Sequence, residues 1–374
     1  MRLNRLETWL NAGTERVWRA NVDIGQTTLV VGRNATGKSR ILASIRSLAH
    51  LIAGRKRFPE ANFKVEFADG TKHLRYEIEY SLDVVHRETF RVDGEEMLNR
   101  GASGSGWLRA KQVQTLNFEI PKGAIAAVAK RDRSQHEYLE PLHEWADALR
   151  YYRFNDFKRE TFGLFHESLG KEPDPSDYEQ AIGLYHSAVK RLPNFKSTVI
   201  EDMNRIGFRI DDVGLDEHPG LKLQSPGLSQ PVAFFVKEAD LKGKTYQLEM
   251  SDGMFRSLAL IIHSAYAELA SVPSCMVVDD IGEGLDYERS TSLIRLLMGR
   301  ADRKAIQLIM STNDRFAMNA VPLEVWCGLR RTPEGVETVT VRSHPDLFEQ
   351  FKLTGLNNFD FFKTDFFEAM PANG

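Results

Sequence analysis

Thr27-Thr28-Leu29-Val30-Val31-Gly32-Arg33-Asn34-Ala35-Thr36-Gly37-Lys38-Ser39 is the stretch whose reading decides the fold. Thr28 to Val31 form an apolar run of the kind that becomes a buried parallel strand. The run breaks into the pattern GxxxxGKS, and Ile41, Ile45, Leu48 and Ile52 then recur at helical spacing until Gly54 ends the helix. Strand, glycine loop and helix in this order make a phosphate-binding element. Gly32 and Gly37 let the backbone curl so that successive N–H groups point inward, and the helix N-terminus turns the positive end of its dipole to the same spot. Lys38 can then reach β- and γ-phosphates, and the Ser39 hydroxyl can ligate Mg²⁺.

Working outward, the 374 residues suffice for two or three lobes and a sizeable core. A hydrophobic content of 42% and a charged content of 27% are those of an ordinary globular protein. The formal net charge of −3 excludes a globally basic DNA-wrapping chain, so any nucleic-acid contact must be local. Cys275 and Cys327 are the two cysteines, and the first lies in an apolar run, which argues against a disulfide framework and for a reducing compartment. With no signal-peptide pattern and no long apolar run, the expectation is a cytoplasmic protein with no membrane segment.

After the first helix, Arg55-Lys56-Arg57 reads as a solvated helix end. Alternation takes over at Phe63, Val65 and Phe67, continues through Leu74, Tyr76, Ile78 and Tyr80 beyond Asp69-Gly70, and reaches a second turn at Asp93-Gly94. This predicts an antiparallel β-arm, with residues 99 to 107 as a glycine- and serine-rich loop and Leu116, Phe118 and Ile120 resuming the strand. From about Tyr138 the period becomes helical. Ser176 and Glu179 form a capping box ahead of Tyr178, Ile182, Tyr185 and Val189, and a second helix runs from Phe195 to Gly207. Strands are expected at Phe208 to Ile210 and Val232 to Val236.

A second phosphate-site element is Cys275-Met276-Val277-Val278-Asp279-Asp280. A carboxylate at the end of a central parallel strand can hold Mg²⁺, which suits Asp279, and Asp280 is placed to orient and activate water. Ala305 to Met310 form a further apolar strand ending in Ser311-Thr312-Asn313-Asp314. Met250-Ser251-Asp252-Gly253-Met254-Phe255-Arg256-Ser257 precedes the apolar helix from Leu258 to Leu269, and its start is another anion-binding helix N-terminus.

Taken together and in this order, these elements resemble the ABC-type ATPases of the soluble, RecF-like branch, which also holds SMC-type and OLD-family ATPases. Gly32 to Ser39 matches the Walker A motif, Ser251-Asp252-Gly253-x-x-Arg256 the signature motif, Asp279-Asp280 Walker B, Gly284-Leu285-Asp286 the D-loop and Ser311-Thr312-Asn313 the switch loop. The resemblance implies an α/β P-loop fold with an antiparallel β-arm and a small helical lobe. It divides the chain into an N-terminal ATPase lobe (1–136), a helical insertion (137–245), a C-terminal ATPase lobe (246–349) and an aromatic extension (350–374). It implies ATP and Mg²⁺ as cofactors, with Gly32, Arg33, Asn34, Ala35, Thr36, Gly37, Lys38 and Ser39 around the phosphates and Ser39 and Asp279 on the metal. Asp280, Lys38 and Asn313 would be catalytic. Ser251, Gly253 and Asp286 would contact ATP held by a second copy, giving a head-to-tail ATP-sandwich homodimer.

The chain departs from the family pattern at three of these positions. Ala35 replaces a glycine, Asp280 stands for a glutamate one methylene longer, and Asn313 stands where a histidine commonly senses the γ-phosphate. These changes predict slow hydrolysis that times a conformational switch. By analogy the chain would be the ATPase of a bacterial two-protein system of the anti-phage defence type, controlling an effector nuclease or toxin; the alternative is a RecF-like ATPase that senses DNA ends directly. The glutamine that usually links the catalytic site to the helical lobe is not readable, with Gln112, Gln114 and Gln135 as positional candidates, while Glu283 is read as structural. Phe351, Phe359, Phe361, Phe362, Phe366 and Phe367 crowd the C-terminal end, either as a helix packed on its own core or as a docking surface.

Overall fold

The run Leu29-Val30-Val31 is apolar because the strand Thr27–Gly32 is buried at every position. That is what a strand in the middle of a parallel sheet requires. A computed structural model of the chain describes residues 1–10, 17–55, 60–110, 115–160, 180–217, 219–220, 231–272 and 274–364. It comprises two compact units: Met1–Leu149 with Ile309–Asn313 and Pro322–Gly374, and Arg150–Leu308 with Asp314–Val321.

In the first unit, Thr27–Gly32 pairs in parallel with Trp326–Thr332, in a register that sets Trp326 opposite Leu29 and Leu329 opposite Gly32. Trp326–Thr332 folds back antiparallel onto Gly335–Val339. Gly335 in turn faces Arg19 of the strand Trp18–Asp23 so closely that an added Cβ would lie 2.1 Å from the Arg19 carbonyl oxygen. The strand Arg2–Leu10 is antiparallel to both Trp18–Asp23 and Glu60–Asp69. A meander follows through Lys72–Ser81, Val84–Val92, Glu95–Gly101, Ser105–Arg109 and Thr115–Glu119, each antiparallel to the one before. One face buries Phe63, Val65, Phe67, Leu74, Tyr76, Ile78 and Tyr80. Trp145, from the helix Glu140–Ala148, meets Phe67 edge-on with ring centroids 4.9 Å apart.

The predicted arm is present, with two local differences. Residues 99 to 107 are largely strand, with Asn99 opposite Trp107 and Arg100 opposite Gly106. Gly106 serves close packing there, since an added Cβ would come within 2.4 Å of the Asn99 carbonyl oxygen. The turn between Lys72–Ser81 and Val84–Val92 is made by Leu82 and Asp83, both at positive φ (48° and 61°), without a glycine to announce it. Asp93 and Gly94 take the same left-handed pair of conformations at the turn the sequence did predict.

The arm also buries charge. Glu88 accepts the amides of Ala126 and Ala127 (2.6 and 2.8 Å) and the Tyr76 hydroxyl (3.1 Å). Arg100 donates to the carbonyls of Val85, Pro121 and Lys122. Burial pushes the carboxyl of Glu88 and the hydroxyl of Tyr76 above their ordinary values.

In the second unit, the helix Asp252–Leu269 is buried on most of its faces and packs on Ala181–Arg191, Phe195–Arg205 and Tyr287–Asp302. Arg300, 1% exposed, joins three of these helices, Phe195–Arg205, Asp252–Leu269 and its own, by donating to Asp202 (2.5 Å), Ser264 (2.6 Å) and Glu268 (2.9 Å). A small antiparallel sheet runs Ile210–Glu217, Val232–Glu238, Thr245–Tyr246. Its first strand begins where the sequence reading had the segment from Phe208 ending. The strand Ser274–Asp279, buried throughout, pairs in parallel with Arg150–Arg153 inside the stretch read as helical. Four residues are too few to show a period, and Tyr151 and Tyr152 are at home in a strand. The strand Ile306–Ser311 is shared, its first half in the second unit; within the first unit it lies beside Thr27–Gly32. Among the described residues no helix is long and apolar enough to cross a membrane. Lys56, Arg57, Gln112, Gln114, the Ser176 and Glu179 capping box, Tyr178, Phe366 and Phe367 lie outside the described residues.

Candidate nucleotide site

The first unit carries the phosphate loop. An added Cβ on Gly32 would lie 2.5 Å from the Thr36 hydroxyl oxygen and 3.1 Å from Leu329 Cβ, so only glycine fits where the loop closes. Thr36 holds the turn, its amide and hydroxyl both donating to the Arg33 carbonyl (3.2 and 2.8 Å). Ala35 adopts a left-handed backbone at φ 65°, and Gly37 sits at φ 107°. Arg33, Asn34 and Ala35 stand exposed.

Lys38 is 6% exposed, and its ammonium donates to the carbonyls of Gly32 (2.7 Å) and Arg33 (3.3 Å). The helix Lys38–Ile52 has no acidic residue in its first turn and no side-chain cap at Gly37. Its leading amides and the lysine together form a positive pole suited to phosphate. Beside the loop, the Arg40 guanidinium lies over the Trp18 ring, 5.1 Å from its centroid. Of the switch loop, Ser311 and Thr312 are buried and Asn313 is exposed.

The second unit carries the acids, the signature turn and the D-loop. Asp279, 2% exposed, ends its strand directly opposite Arg153. One carboxylate oxygen is 3.5 Å from the Tyr151 hydroxyl and 4.0 Å from Arg153 Nε. Asp280 is partly exposed at φ 54°, a left-handed conformation that turns the chain sharply as it leaves the strand. Ser251 caps the helix Asp252–Leu269, its hydroxyl accepting from the Met254 amide at 3.2 Å. Gly253 lies against the D-loop, where an added Cβ would come within 2.7 Å of Leu285 Cδ2 and 3.2 Å of the Gly284 carbonyl oxygen. Asp286 caps the helix Tyr287–Asp302 through the Arg289 amide (3.0 Å), and that hydrogen bond leads the effects that hold its carboxyl below the ordinary range.

The phosphate loop and Asn313 therefore belong to one unit, while Asp279, Asp280, Ser251, Gly253 and Asp286 belong to the other. Gln135 is exposed in a turn where its backbone N–H donates to the Asp132 carboxylate. Glu283 accepts a hydrogen bond from the side chain of Asn155. Asn155 and Arg159, which sequence reading passed over, touch signature residues and Glu283; no motif marks them, and they follow a strand too short to detect. Both cysteines are buried, which pushes their thiols up to about 12.

Among the described residues no cluster of three or more His, Cys, Asp or Glu side chains could hold a metal unaided. Mg²⁺ at nucleotide sites takes one or two protein oxygens and completes its shell with phosphates and water; the Ser39 hydroxyl of the first unit and the Asp279 carboxylate of the second are each an oxygen donor of that kind.

The fold resembles that of two solved structures. One is described as the SmcHead bound to the C-winged helix domain of ScpA (TM-score 0.53, 13% identity, 92% of this chain and 100% of that chain). The other is the Smc head domain with an extended coiled coil bound to the C-terminal domain of ScpA, derived from Pyrococcus furiosus (TM-score 0.52, 12% identity, 94% and 99%). At these identities the likeness is one of fold, and it bears out the ABC-type reading of the α/β architecture. No curated protein matches the chain. The family model described as "AAA domain, putative AbiEii toxin, Type IV TA system" matches residues 27–316, and the chain belongs to that AAA-domain family, with a fold like that of SMC heads.

Proposed function

We propose that this ATPase is an ATP-dependent dimerisation switch that hydrolyses slowly. The observation that carries the reading is the signature turn: Ser251 and Asp252 are exposed at a helix N-terminus whose position is fixed by the close packing of Gly253 on Leu285. An exposed helix N-terminus of this kind suits the phosphates of a nucleotide bound by a second copy. In this reading Gly32 to Ser39 bind the phosphates, Ser39 and Asp279 hold Mg²⁺, Asp280 orients water and Asn313 hydrogen-bonds the γ-phosphate. Bound Mg²⁺ would supply charge neutralisation on the phosphates. ATP joins two surfaces that bind weakly without it, and hydrolysis removes the join.

Turnover well below about ten per second, the median for enzymes, follows from the short Asp280 carboxylate and the neutral Asn313. The toxin–antitoxin wording of the family description supports a two-protein system; that the switch controls an effector nuclease or toxin, in a setting of anti-phage defence, is our proposal by analogy. The testing experiment is sedimentation of an Asp280→Asn chain with Mg·ATP, together with co-purification from its native operon. A stable ATP-dependent dimer carrying a second protein supports the proposal, and a monomer throughout overturns it.

A further inference from the structure

Immediately after the strand Arg150–Arg153, the chain makes a series of polar contacts to the motif residues of its own unit. Arg153 lies opposite Asp279 in the register of the two parallel strands. Two residues on, the Asn155 side-chain oxygen accepts from Nη1 of Arg256 at 2.9 Å, and its side-chain nitrogen donates to the Glu283 carboxylate. Arg159 then pairs with Asp252 at 2.7 Å and donates to the carbonyls of Leu248 and Met250. Walker B, the signature helix and Glu283, the residue just before the D-loop, are thus all reached from seven consecutive residues, Arg153 to Arg159.

Asn155 has a particular place in this series because both ends of one amide are used. Its acceptor holds Arg256, one turn into the signature helix, and its donor holds Glu283, which lies between Gly282 (φ 84°) and Gly284 (φ 82°). A backbone flanked by two left-handed glycines has wide conformational freedom, and a side-chain tether between them removes it. Arg256 also lies close to the second glycine: an added Cβ at Gly284 would be 3.2 Å from its Nη1.

We propose that Asn155 is a positioning residue that sets the signature turn against the D-loop, and so makes the second copy's binding surface competent. This rests on the ATP-sandwich reading above. The donor and acceptor must face opposite ways for it to work. An Asp at this position keeps the acceptor for Arg256 but confronts the Glu283 carboxylate with a second negative charge. Converting Glu283 to Gln in the same chain supplies the missing donor from the other side and restores the bridge with reversed polarity.

The experiment compares wild type, Asn155→Asp, the double variant Asn155→Asp/Glu283→Gln, and Glu283→Ala. It measures affinity for a fluorescent Mg·ATP analogue, ATP-driven dimerisation by sedimentation, and kcat. Asn155→Asp is expected to bind nucleotide as wild type does, to lose ATP-driven dimer, and to fall about tenfold in kcat, the loss of one charge-assisted hydrogen bond. The double variant is expected to regain most of both, which a merely structural role would not produce. Glu283 is exposed, so Glu283→Ala keeps the test open should Asn155→Asp fail to fold: it should fail to dimerise, whereas a Glu283 acting as a catalytic base would dimerise and stall. A wild-type dimer matched by Asn155→Asp, or a double variant no better than Asn155→Asp, overturns the bridge alone. A wild type that binds Mg·ATP and stays monomeric overturns the sandwich reading, and the bridge with it.

Discussion

Gly253, in the first turn of the signature helix, is packed against Leu285 of the D-loop so closely that a single added methyl would come within 2.7 Å of Leu285 Cδ2. Two motifs that are more than thirty residues apart in the chain are thereby held as one surface. Gly253→Ala should displace the Leu285 side chain from the signature turn, while the helix propensity gained, up to about 1 kcal/mol, keeps overall stability near wild type. Urea titration checks the stability, and ATP-driven dimerisation should fall while Mg·ATP affinity stays near wild type. A variant that dimerises normally would detach the signature turn from the function proposed for it.

Lys38 donates to the carbonyls of Gly32 and Arg33 and is almost wholly buried. Lys38→Ala should therefore act twice. Nucleotide affinity should drop at least about tenfold, since a charge-assisted contact to phosphate is removed. Stability should fall by roughly 1–3 kcal/mol, because the loop carbonyls lose a buried donor. Isothermal calorimetry and chemical denaturation measure the two effects separately.

The aromatic C-terminal segment divides within itself. Phe361 is 1% exposed, with its ring centroid 4.6 Å from that of Phe348 and 4.9 Å from that of Phe351, whereas Phe362 is partly exposed. Phe361→Ala should destabilise by about 3–5 kcal/mol, the range for a buried aromatic. Phe362→Ala should cost well under about 1 kcal/mol, as surface changes do. Equal losses in denaturation midpoint would contradict this division of the segment.

Glu140 is clamped by Arg131 at 2.7 Å and by Arg133 at 3.2 Å. The hydrogen bond from Arg131 is the largest of the effects that hold its carboxyl below the ordinary range. A depressed folded-state value means the carboxylate's contribution is complete above the unfolded value, roughly 4.3, and is lost as pH falls through the folded one. Glu140→Gln should therefore cost on the order of 1 kcal/mol at neutral pH, with the gap from wild type closing below about pH 4. Stability curves for both proteins across that window give the comparison, and a gap that widens on acidification would refute it.

Much of the fold was legible because its signals are periodic. The apolar run before Gly32, the helical spacing after Ser39, and the alternation from Phe63 to Tyr80 each extend over enough residues to show their period. Asp93-Gly94 was readable as a turn for its chemistry, whereas Leu82-Asp83 adopts the same backbone without it. The strand Arg150–Arg153 escaped because four residues inside a helical stretch carry no period, and Asn155 and Arg159 escaped with it. The glycines from 101 to 106 suggested a loop, while Gly106 is in strand because the Asn99 carbonyl approaches it too closely for any side chain. Local patterns reveal elements; which side chains converge from distant elements depends on packing that no single window contains.

In the proposed switch, ATP joins two copies of this chain through the phosphate loop of one and the signature turn of the other. The most direct measurement is the sedimentation of Asp280→Asn with Mg·ATP, set beside the same chain without nucleotide and beside a Ser251→Arg version. The expected result is a dimer with ATP, monomer without it, and monomer for the Ser251→Arg version although that chain still binds nucleotide. A chain that binds Mg·ATP with full occupancy and sediments as a monomer in every case would contradict it.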